Sequence, residues 1–387
     1  RHEIKMNRDP MTPIPTRALP GLLLGACLGL AATTLQASAA TPSTETPRLT
    51  RTVVMTGLQS PWDIAFTPDG VMLFTENCQG QSGVHGVAVD PDFAKGRRDI
   101  YVFMASNLRT PATNRVVRLT LSADATSVSN RMDIIEDIAY KHAGNGAGGA
   151  GAHSGGRIRF GPDGHLYVTT GDNHNATLPQ DLKRLGGKVL RVNRDGKAVA
   201  GNNTPAGGDP RIFTYGHRNV QGITFRPAGQ PNAGQAFTAE HGPNHSDEVT
   251  ALVAGGNAGW DPQNRLGLRC PDDYCGYAGT PTTMPMTDTQ RFPKAMPPSW
   301  VYNGSGRGMG TAQFLDGPQW KAWNGRLLVS LMRGQRIAVL QLDARGIAIG
   351  EATVDLPSTR TRTLVQGPDG TLYTANDDGE IWRVVPN

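Results

Sequence analysis

The chain is poor in charged, aromatic and cysteine residues, and these shortages exclude several classes of protein. Charged residues make up 18% of the 387 residues and aromatic residues 6%. Long amphipathic helices need more Glu, Lys and Leu, so a helical architecture is disfavoured. No run of Lys and Arg with interleaved aromatic residues occurs, and the net charge is only +5, which argues against nucleic-acid binding. A C-x-x-C-H motif for covalent haem attachment is also absent.

Glycine and proline, by contrast, are abundant, with 48 and 28 residues. Many tight turns between short strands need this balance, because Pro presets φ and Gly takes positive-φ positions. One unit recurs: an apolar residue, a turn such as Pro-Asp-Gly, and a β-rich run, starting near residues 66, 89, 160, 225, 323 and 366. This repetition predicts an all-β fold, a six-bladed β-propeller with four-stranded antiparallel blades over residues 41–387. A β-sandwich with similar turns is the alternative.

The first forty residues have the features of a cleaved export signal. Two arginines precede an apolar run at residues 18–32, and the segment Ala37–Ala39 matches an A-x-A cleavage site. The run is short for a membrane span and contains proline. We therefore predict a signal peptide with an upstream extension at residues 1–40, a periplasmic or secreted protein, and no stable membrane insertion. Lipoprotein anchoring at Cys27 is the alternative.

The other three cysteines allow one local disulfide. Cys270 and Cys275 flank a short polar loop, CPDDYC, and are able to pair in an oxidising compartment. Cys78 is then left over and is expected to be a buried thiol. Spacing alone leaves both the paired and the reduced state of Cys270 and Cys275 open.

Four loops combine glycine with histidine, arginine and asparagine in a way that simple turns do not need. They are QGQSGVHG, AHSGGR, YGHRNVQG and AEHGPNHSDE, starting at residues 79, 152, 215 and 239. Glycine lets the backbone approach a ligand closely, while the other three residue types supply hydrogen-bond donors or bases. Together the loops indicate one candidate site.

With the segments PWDIAFTPDG, HSGGRIRFGPDGHLYVTTGD and LGGKVLRVNRDG, these loops resemble the soluble sugar dehydrogenases that depend on pyrroloquinoline quinone (PQQ), including the aldose sugar dehydrogenases. The resemblance runs from about residue 56 to residue 385. The resemblance depends on three motifs in this order: H-x-G-G-R, Y-G-H-R-N-x-Q-G and H-G-P-N. The motif G-P-D-G is common among propellers and adds little to the resemblance. The resemblance implies oxidation of the C1 hydroxyl of an aldose to the lactone, with PQQ and Ca²⁺ as cofactors.

The resemblance also implies a role for individual residues. His153, the histidine of H-x-G-G-R, matches the general base that takes the hydroxyl proton while hydride moves to the quinone, and imidazole suits this task because its pKa lies near working pH. PQQ carries three carboxylates, which guanidinium groups bind in a bidentate manner. The residues that match the family's cofactor contacts are Gln81, Arg218, Asn219, Arg360 and Arg362.

A Ca²⁺ ion beside the quinone is implied as well. In the family two successive backbone carbonyls hold it, here those of Gly242 and Pro243, and a hard cation with oxygen ligands is suited to polarise a quinone carbonyl. A second, structural Ca²⁺ would use backbone oxygens near Glu248 and Ala258. For Asp247 and Glu248 the alternative is that both are solvated charges.

Four positions depart from the family pattern. Arg333 stands where the family has a lysine that contacts the quinone; it keeps the charge without the compact ammonium group, and we place it among the cofactor-binding residues. Ala152 replaces an acidic residue that contacts sugar in the glucose-oxidising branch, so tight glucose recognition is not expected. His85 and Arg307 stand where aliphatic and small residues are expected.

Two other functions compete with the dehydrogenase. A calcium-dependent propeller hydrolase or lactonase would not need the arginines Arg218, Arg360 and Arg362, and a non-catalytic ligand-binding propeller would leave His153 unexplained. The dehydrogenase needs a small sugar and an external electron acceptor: a quinone, a cytochrome or a dye. No nucleic-acid partner is expected, and the sequence indicates no particular oligomeric state.

Overall fold

The structure is a computed structural model that describes residues 4–7, 44–77, 83–106, 112–142, 149–262 and 284–387. Cys78, Gln81, Cys270 and Cys275 fall outside these ranges, as does nearly all of the predicted signal segment, so the predictions for them stay predictions. Within the described ranges, no helix is long and apolar enough to span a membrane.

Almost every described element is a short β-strand. The first twelve are β1 (Ile4–Asn7), β2 (Leu49–Met55), β3 (Pro61–Phe66), β4 (Met72–Glu76), β5 (Val84–Val89), β6 (Asp99–Ser106), β7 (Thr113–Leu121), β8 (Val128–Ile138), β9 (Gly155–Phe160), β10 (Leu166–Thr170), β11 (Lys188–Val192) and β12 (Ile212–Tyr215). The others are β13 (Val220–Phe225), β14 (Ala236–Glu240), β15 (His245–Ala251), β16 (Gly256–Asn257), β17 (Trp300–Ser305), β18 (Met309–Phe314), β19 (Leu327–Leu331), β20 (Arg336–Leu342), β21 (Ala348–Thr353), β22 (Thr361–Gln366), β23 (Leu372–Asn376) and β24 (Ile381–Pro386). Two 3₁₀ helices, Phe93–Lys95 and Pro318–Trp323, lie between strands.

The strands form sheets arranged in a ring. The sheets are β5–β8; β9–β12 with β16; β13–β15 with β17; β18–β21; β22–β24 with β2; and β3, β4 and β1. The strands β3, β5, β9, β13, β18 and β22 each pack against the next, and β22 packs against β3. In addition, β2 pairs antiparallel with β24, so one sheet joins strands from both ends of the propeller. The predicted all-β propeller is confirmed.

The predicted count of six four-stranded antiparallel blades is wrong, because the described residues form five sheets with four strands or more. The sheet of β3 and β4 has only three strands, and its third strand is β1 from residues 4–7. Only residues 77–83 separate β4 from β5, too few for two further strands of ordinary length. In the five-stranded sheet, β16 pairs parallel to β12. The pairing of β1 with β4 also gives part of the predicted leader a contact that the sequence did not suggest.

The Pro-Asp-Gly turns have the predicted geometry. Gly70, Gly164 and Gly370 have positive φ values of 89°, 74° and 74°. Each donates its backbone N–H to the carbonyl three residues earlier at 2.9 Å. A side chain at such a φ would be strained, so glycine recurs wherever this turn joins two strands.

A buried ion-pair network crosses the inner strands of the ring. Asp63 on β3 is fully buried and accepts two hydrogen bonds of 2.7 Å from the guanidinium of Arg159 on β9. It also accepts from the backbone N–H of Val87 on β5 at 3.0 Å and from the hydroxyl of Thr363 on β22 at 3.2 Å. A further ion pair joins it to Arg157. One carboxylate therefore connects the inner strands of four sheets.

Candidate active site

A cavity of about 390 Å³ lies near the N-terminal ends of the inner strands, and every sheet contributes to its wall. Its described lining residues are Trp62, Asn77, His85, Gly151, His153, Ser154, Gly155, His174, Arg218, Asn219, Gln221, His241, Gly242, Met332, Arg360 and Arg362. Residues that are up to about 300 positions apart in the chain thus meet at one place.

The structure brings most of the predicted site residues to this cavity. Those that line it are His153, Arg218, Asn219, Gly242, Arg360 and Arg362. Four others are not among the lining residues: Pro243, Glu248, Ala258 and Arg333. The side chain of Arg333 is exposed, and its neighbour Met332 faces the cavity instead. Gln81 lies outside the described residues.

His153 is held by a buried carboxylate. Its Nδ1 lies 2.8 Å from Oδ1 of Asp172, which is fully buried just after β10. The other carboxylate oxygen of Asp172 accepts from the indole N–H of Trp260 at 2.9 Å. Because a carboxylate accepts hydrogen bonds, Nδ1 carries the proton and Nε2 carries the lone pair. This tautomer is the one that a general base needs.

The backbone around His153 has an unusual conformation and is closely packed. Its φ is +52°, an uncommon conformation for a residue with a side chain. Gly171 packs so closely that a Cβ atom there would lie 2.0 Å from the carbonyl oxygen of His153. Glycine directly before Asp172 therefore lets the carboxylate reach the imidazole.

The surroundings of His153 keep its imidazole neutral. Burial lowers the pKa of His153 well below the usual 6.5, and the nearby Arg218, His174 and His241 lower it further because they disfavour a second positive charge. The imidazole is therefore neutral at neutral pH, the form in which a histidine can accept a proton.

This pKa predicts the pH dependence of turnover. Because the base acts in its neutral form, kcat/KM is expected to fall only when pH drops through the lowered pKa of His153, so the acid limb should lie well below pH 6.5. Measuring kcat/KM for a sugar substrate between pH 4 and 9 checks this. An acid limb centred at or above pH 6.5 would show that another environment or another group controls the reaction.

The loop that carries Arg218 and Asn219 is ordered by one buried carboxylate. Glu240, at the end of β14, accepts hydrogen bonds from the backbone N–H groups of Arg218 and Asn219, the latter at 3.0 Å. It also pairs with Nδ1 of His217 at 2.8 Å. Arg218 in turn donates to the carbonyl of His241 at 3.1 Å, which links it to the next loop of the site.

Two further arginines share one carboxylate on the opposite side of the cavity. Arg360 donates to Asp377 at 2.8 Å, and Arg362 pairs with both oxygens of the same carboxylate. The two guanidinium groups therefore outnumber their partner, and a net positive charge remains beside the cavity.

The charge of the lining residues favours an anionic ligand. Among the described residues, the wall contains three arginines and four histidines but no Asp or Glu. Arginine binds planar carboxylates through two parallel hydrogen bonds. A small ligand with several carboxylates fits this donor set.

The loop after β14 is shaped by a buried aspartate. Asp247 accepts from the backbone N–H groups of Gly242, Arg307 and Gly308 at 2.9, 2.5 and 2.9 Å. It is 1% exposed and Glu248 is 6% exposed, so the interpretation of both as solvated charges is wrong.

Burial raises the pKa of Glu248 to about 8, and its carboxyl group accepts a hydrogen bond from the hydroxyl of Thr287. Among the described residues, no group of three or more His, Cys, Asp or Glu side chains is arranged to hold a metal, so a cation here would depend on backbone oxygens.

Comparison with known proteins identifies the family. The model of the glucose/sorbosone dehydrogenase family matches residues 77–383, which is most of the chain. The chain belongs to this family. The predicted resemblance to sugar dehydrogenases is thereby confirmed, and this glucose/sorbosone dehydrogenase family member is a sugar oxidoreductase.

Three of the similar proteins match 86% or more of this chain, and a fourth matches about half of it. The aldose sugar dehydrogenase YliI of Escherichia coli is 25% identical over 363 residues, covering 86% of this chain and 92% of that protein. The quinoprotein glucose dehydrogenase B of Acinetobacter calcoaceticus is 29% identical over 229 residues, covering 52% and 43%. A crystal structure from Thermus thermophilus, assigned as a glucose dehydrogenase, is 30% identical with a TM-score of 0.69, covering 87% and 100%. The PQQ-bound aldose sugar dehydrogenase of Streptomyces coelicolor shares the fold at 22% identity and a TM-score of 0.64, covering 90% and 100%.

Several site residues of this family member were not predicted from its sequence. They are Trp62, Asn77, Asp172, His174, His241 and Trp260. Local signals exist for His241, which stands in the candidate loop AEHGPNHSDE, and for Asp172, an acidic residue directly after a buried strand in the segment TTGD. Trp260 lies 88 residues further along the chain, and only the folded structure brings its indole to Asp172.

Proposed function

We propose that this family member oxidises the C1 hydroxyl of an aldose to the lactone, with PQQ and Ca²⁺ as cofactors and His153 as the general base. The observation that carries the proposal is the His153–Asp172 pair in a cavity whose described wall has three arginines and no carboxylate. A hydrolase would have no use for that positive charge, and a binding protein would have no use for the oriented base.

His153 performs the proton-transfer part of the reaction. Its neutral Nε2 accepts the proton of the sugar hydroxyl, and the carboxylate of Asp172 stabilises the imidazolium that forms. The same hydrogen bond fixes the plane of the ring, so the lone pair points in a constant direction. Bound PQQ supplies the hydride acceptor of this chemistry.

Arginine side chains hold the carboxylates of the cofactor. Arg218, Arg360 and Arg362 approach the cavity from two sides, and Asn219 adds an amide to the same wall. The hydrogen bonds of the arginines to protein acceptors orient the guanidinium groups before the ligand arrives, which lowers the entropy cost of binding. Gln81 is proposed as a further contact.

The loop of Gly242 and Pro243 is the proposed Ca²⁺ site. Proline has no N–H, so its residue offers only a carbonyl to its surroundings. The hydrogen bond from Gly242 to Asp247 orders the loop, and Gly242 itself lines the cavity. Backbone oxygens are suitable ligands for a hard cation. A second, structural Ca²⁺ is proposed to bind to backbone oxygens near Glu248 and Ala258.

The substrate is proposed to be an aldose that need not be glucose. Ala152, next to the base, is fully buried and offers no polar group to a sugar. The protein is proposed to act in the periplasm or as a secreted enzyme, and to pass its electrons to an external acceptor such as a quinone, a cytochrome or a dye.

Arg362→Gln tests the role of the arginines in cofactor binding. We expect PQQ affinity to fall by about tenfold to a hundredfold, because a hydrogen bond to a charged group contributes about 1.5–3 kcal/mol. Arg360 still neutralises Asp377 in this variant, so the fold should be kept. PQQ titration followed by absorbance, in the presence of Ca²⁺, gives the affinity.

Arg383→Gln is the matched control for Arg362→Gln. Arg383 forms a similar ion pair, with Asp369 at 3.2 Å, and lies outside the cavity. We expect its PQQ affinity to equal that of the wild type. Equal losses in both variants, or none in Arg362→Gln, would contradict the proposed role.

A further inference from the structure

Three titratable side chains, His153, His174 and Lys141, cross the wall between two cavities. The rings of His153 and His174 meet edge to face with their centres 3.8 Å apart. Nδ1 of His174 lies 3.2 Å from Nζ of Lys141. Both histidines line the active-site cavity, whereas Lys141 lines a second cavity on the far side. Adjacent side chains therefore lead from His153 to the second cavity, first through a ring contact and then through a contact at hydrogen-bond distance.

The second cavity has a volume of about 530 Å³, and the charged side chains in its wall are mainly basic. Lys141, His142, Lys183 and Arg184 contribute to it, together with Asp137. His142 and Lys183 are exposed, so the cavity opens to solvent. Water or a buffer base in the second cavity can receive a proton. A proton that leaves by this route does not cross the active-site cavity, which substrate and cofactor are proposed to fill during turnover.

The electrostatics of Lys141 suit a group that exchanges protons. Its ammonium group is buried, and burial lowers the pKa of Lys141, while the charge of Asp172 opposes that shift. A lowered pKa makes the neutral amine, a proton acceptor, more accessible. The other charged or titratable groups that face the path from the active-site side are Arg218 and His241.

We propose that His174 and Lys141 carry the proton from His153 to the second cavity after each sugar is oxidised. The inference rests on the proposed function, because it needs His153 to receive the hydroxyl proton. His153 gives its proton to Nε2 of His174 as Nδ1 of His174 releases one to the neutral amine of Lys141, which passes it to water in the second cavity. His174 then loses its Nε2 proton and regains its Nδ1 proton by exchange with water, which restores the starting tautomer before the next turnover. One proton moves in total, no electrons move, and His153 returns to its neutral form.

The variants His174→Phe and Lys141→Met test the path. Phe at position 174 keeps an aromatic ring, and Met at position 141 keeps an unbranched side chain of similar length. Neither side chain can accept or donate a proton. We expect kcat to fall about tenfold or more in both, as is common when a proton-transfer group is lost, with PQQ affinity unchanged. The solvent deuterium isotope effect on kcat should rise, and added imidazole should restore part of the rate, since a small base can replace the missing group.

His165→Phe and Lys197→Met are the matched controls, because both residues lie outside the two cavities. Wild-type kcat in both path variants, or a lost rate that imidazole does not restore, would overturn the relay alone. A wild-type protein with no PQQ-dependent sugar oxidation would overturn the proposed function, and the relay with it.

Discussion

The His153→Asn protein is expected to bind PQQ normally and to oxidise sugar about 10²- to 10⁴-fold more slowly than the wild type. This is the range of rate that a positioned general base contributes. The amide of Asn cannot accept a proton, whereas its side chain tolerates the positive φ of +52° at this position. The substitution therefore removes the base and leaves the backbone conformation accessible.

Steady-state kinetics and a PQQ absorbance titration on the same preparation separate chemistry from binding. His165→Asn is the matched control, since His165 lies in a turn away from the cavity. The expected pattern is a large loss of kcat with little change in PQQ affinity. Loss of PQQ binding with retained turnover per bound cofactor would make His153 a binding residue and not the base.

The second large effect is expected in Asp63→Ala, at the ion-pair network of the inner strands. Removing this carboxylate leaves the buried guanidinium group of Arg157 and the partly buried one of Arg159 without their charge partner. Breaking a buried ion pair in this way costs about 3–5 kcal/mol of unfolding free energy. The loss should reach the active site as well, because Arg157 also donates to the backbone of Trp62 and Gln221.

Equilibrium denaturation at neutral pH measures this loss. Asp195→Ala is the control: its ion pair with Arg118, at 2.6 Å, is on the surface, where such pairs contribute about 0–1 kcal/mol. Although burial opposes ionisation, Arg157 and Arg159 lower the pKa of Asp63 below 3.8, so its contribution is present above about pH 4 and is lost as pH falls further. Equal stability of the two variants would show that the network is not the centre of the fold.

Local signals in the sequence were enough to predict the repeated turns and the propeller, and the resemblance to sugar dehydrogenases indicated the residues of the candidate site. A Pro-Asp-Gly turn depends on φ preferences within four residues, and the histidine and arginine motifs are contiguous segments. The strand count of one sheet was missed because β1 reaches β4 across a long stretch of chain, which no local pattern records.

The long-range contacts around the candidate site could not be predicted from local sequence patterns. Arg159 and Asp63 lie 96 residues apart, and each would be expected at the surface from its residue type alone. The pairing of Lys141 with His174 likewise depends on how two sheets pack. For Arg333 a motif position indicated a cofactor contact; its side chain is exposed and is not among the described lining residues, and the contact stays a prediction.

The most direct test of the central claim is reconstitution of the purified protein with PQQ and Ca²⁺. Dye-linked oxidation of a panel of aldoses should appear when both cofactors are added, and its rate should rise with PQQ concentration to a plateau. In His153→Asn the rate should remain near background. Ca²⁺ alone, and PQQ with a calcium chelator, should give little activity. An intact, folded wild-type protein that binds no PQQ and oxidises no aldose in the panel would contradict the account.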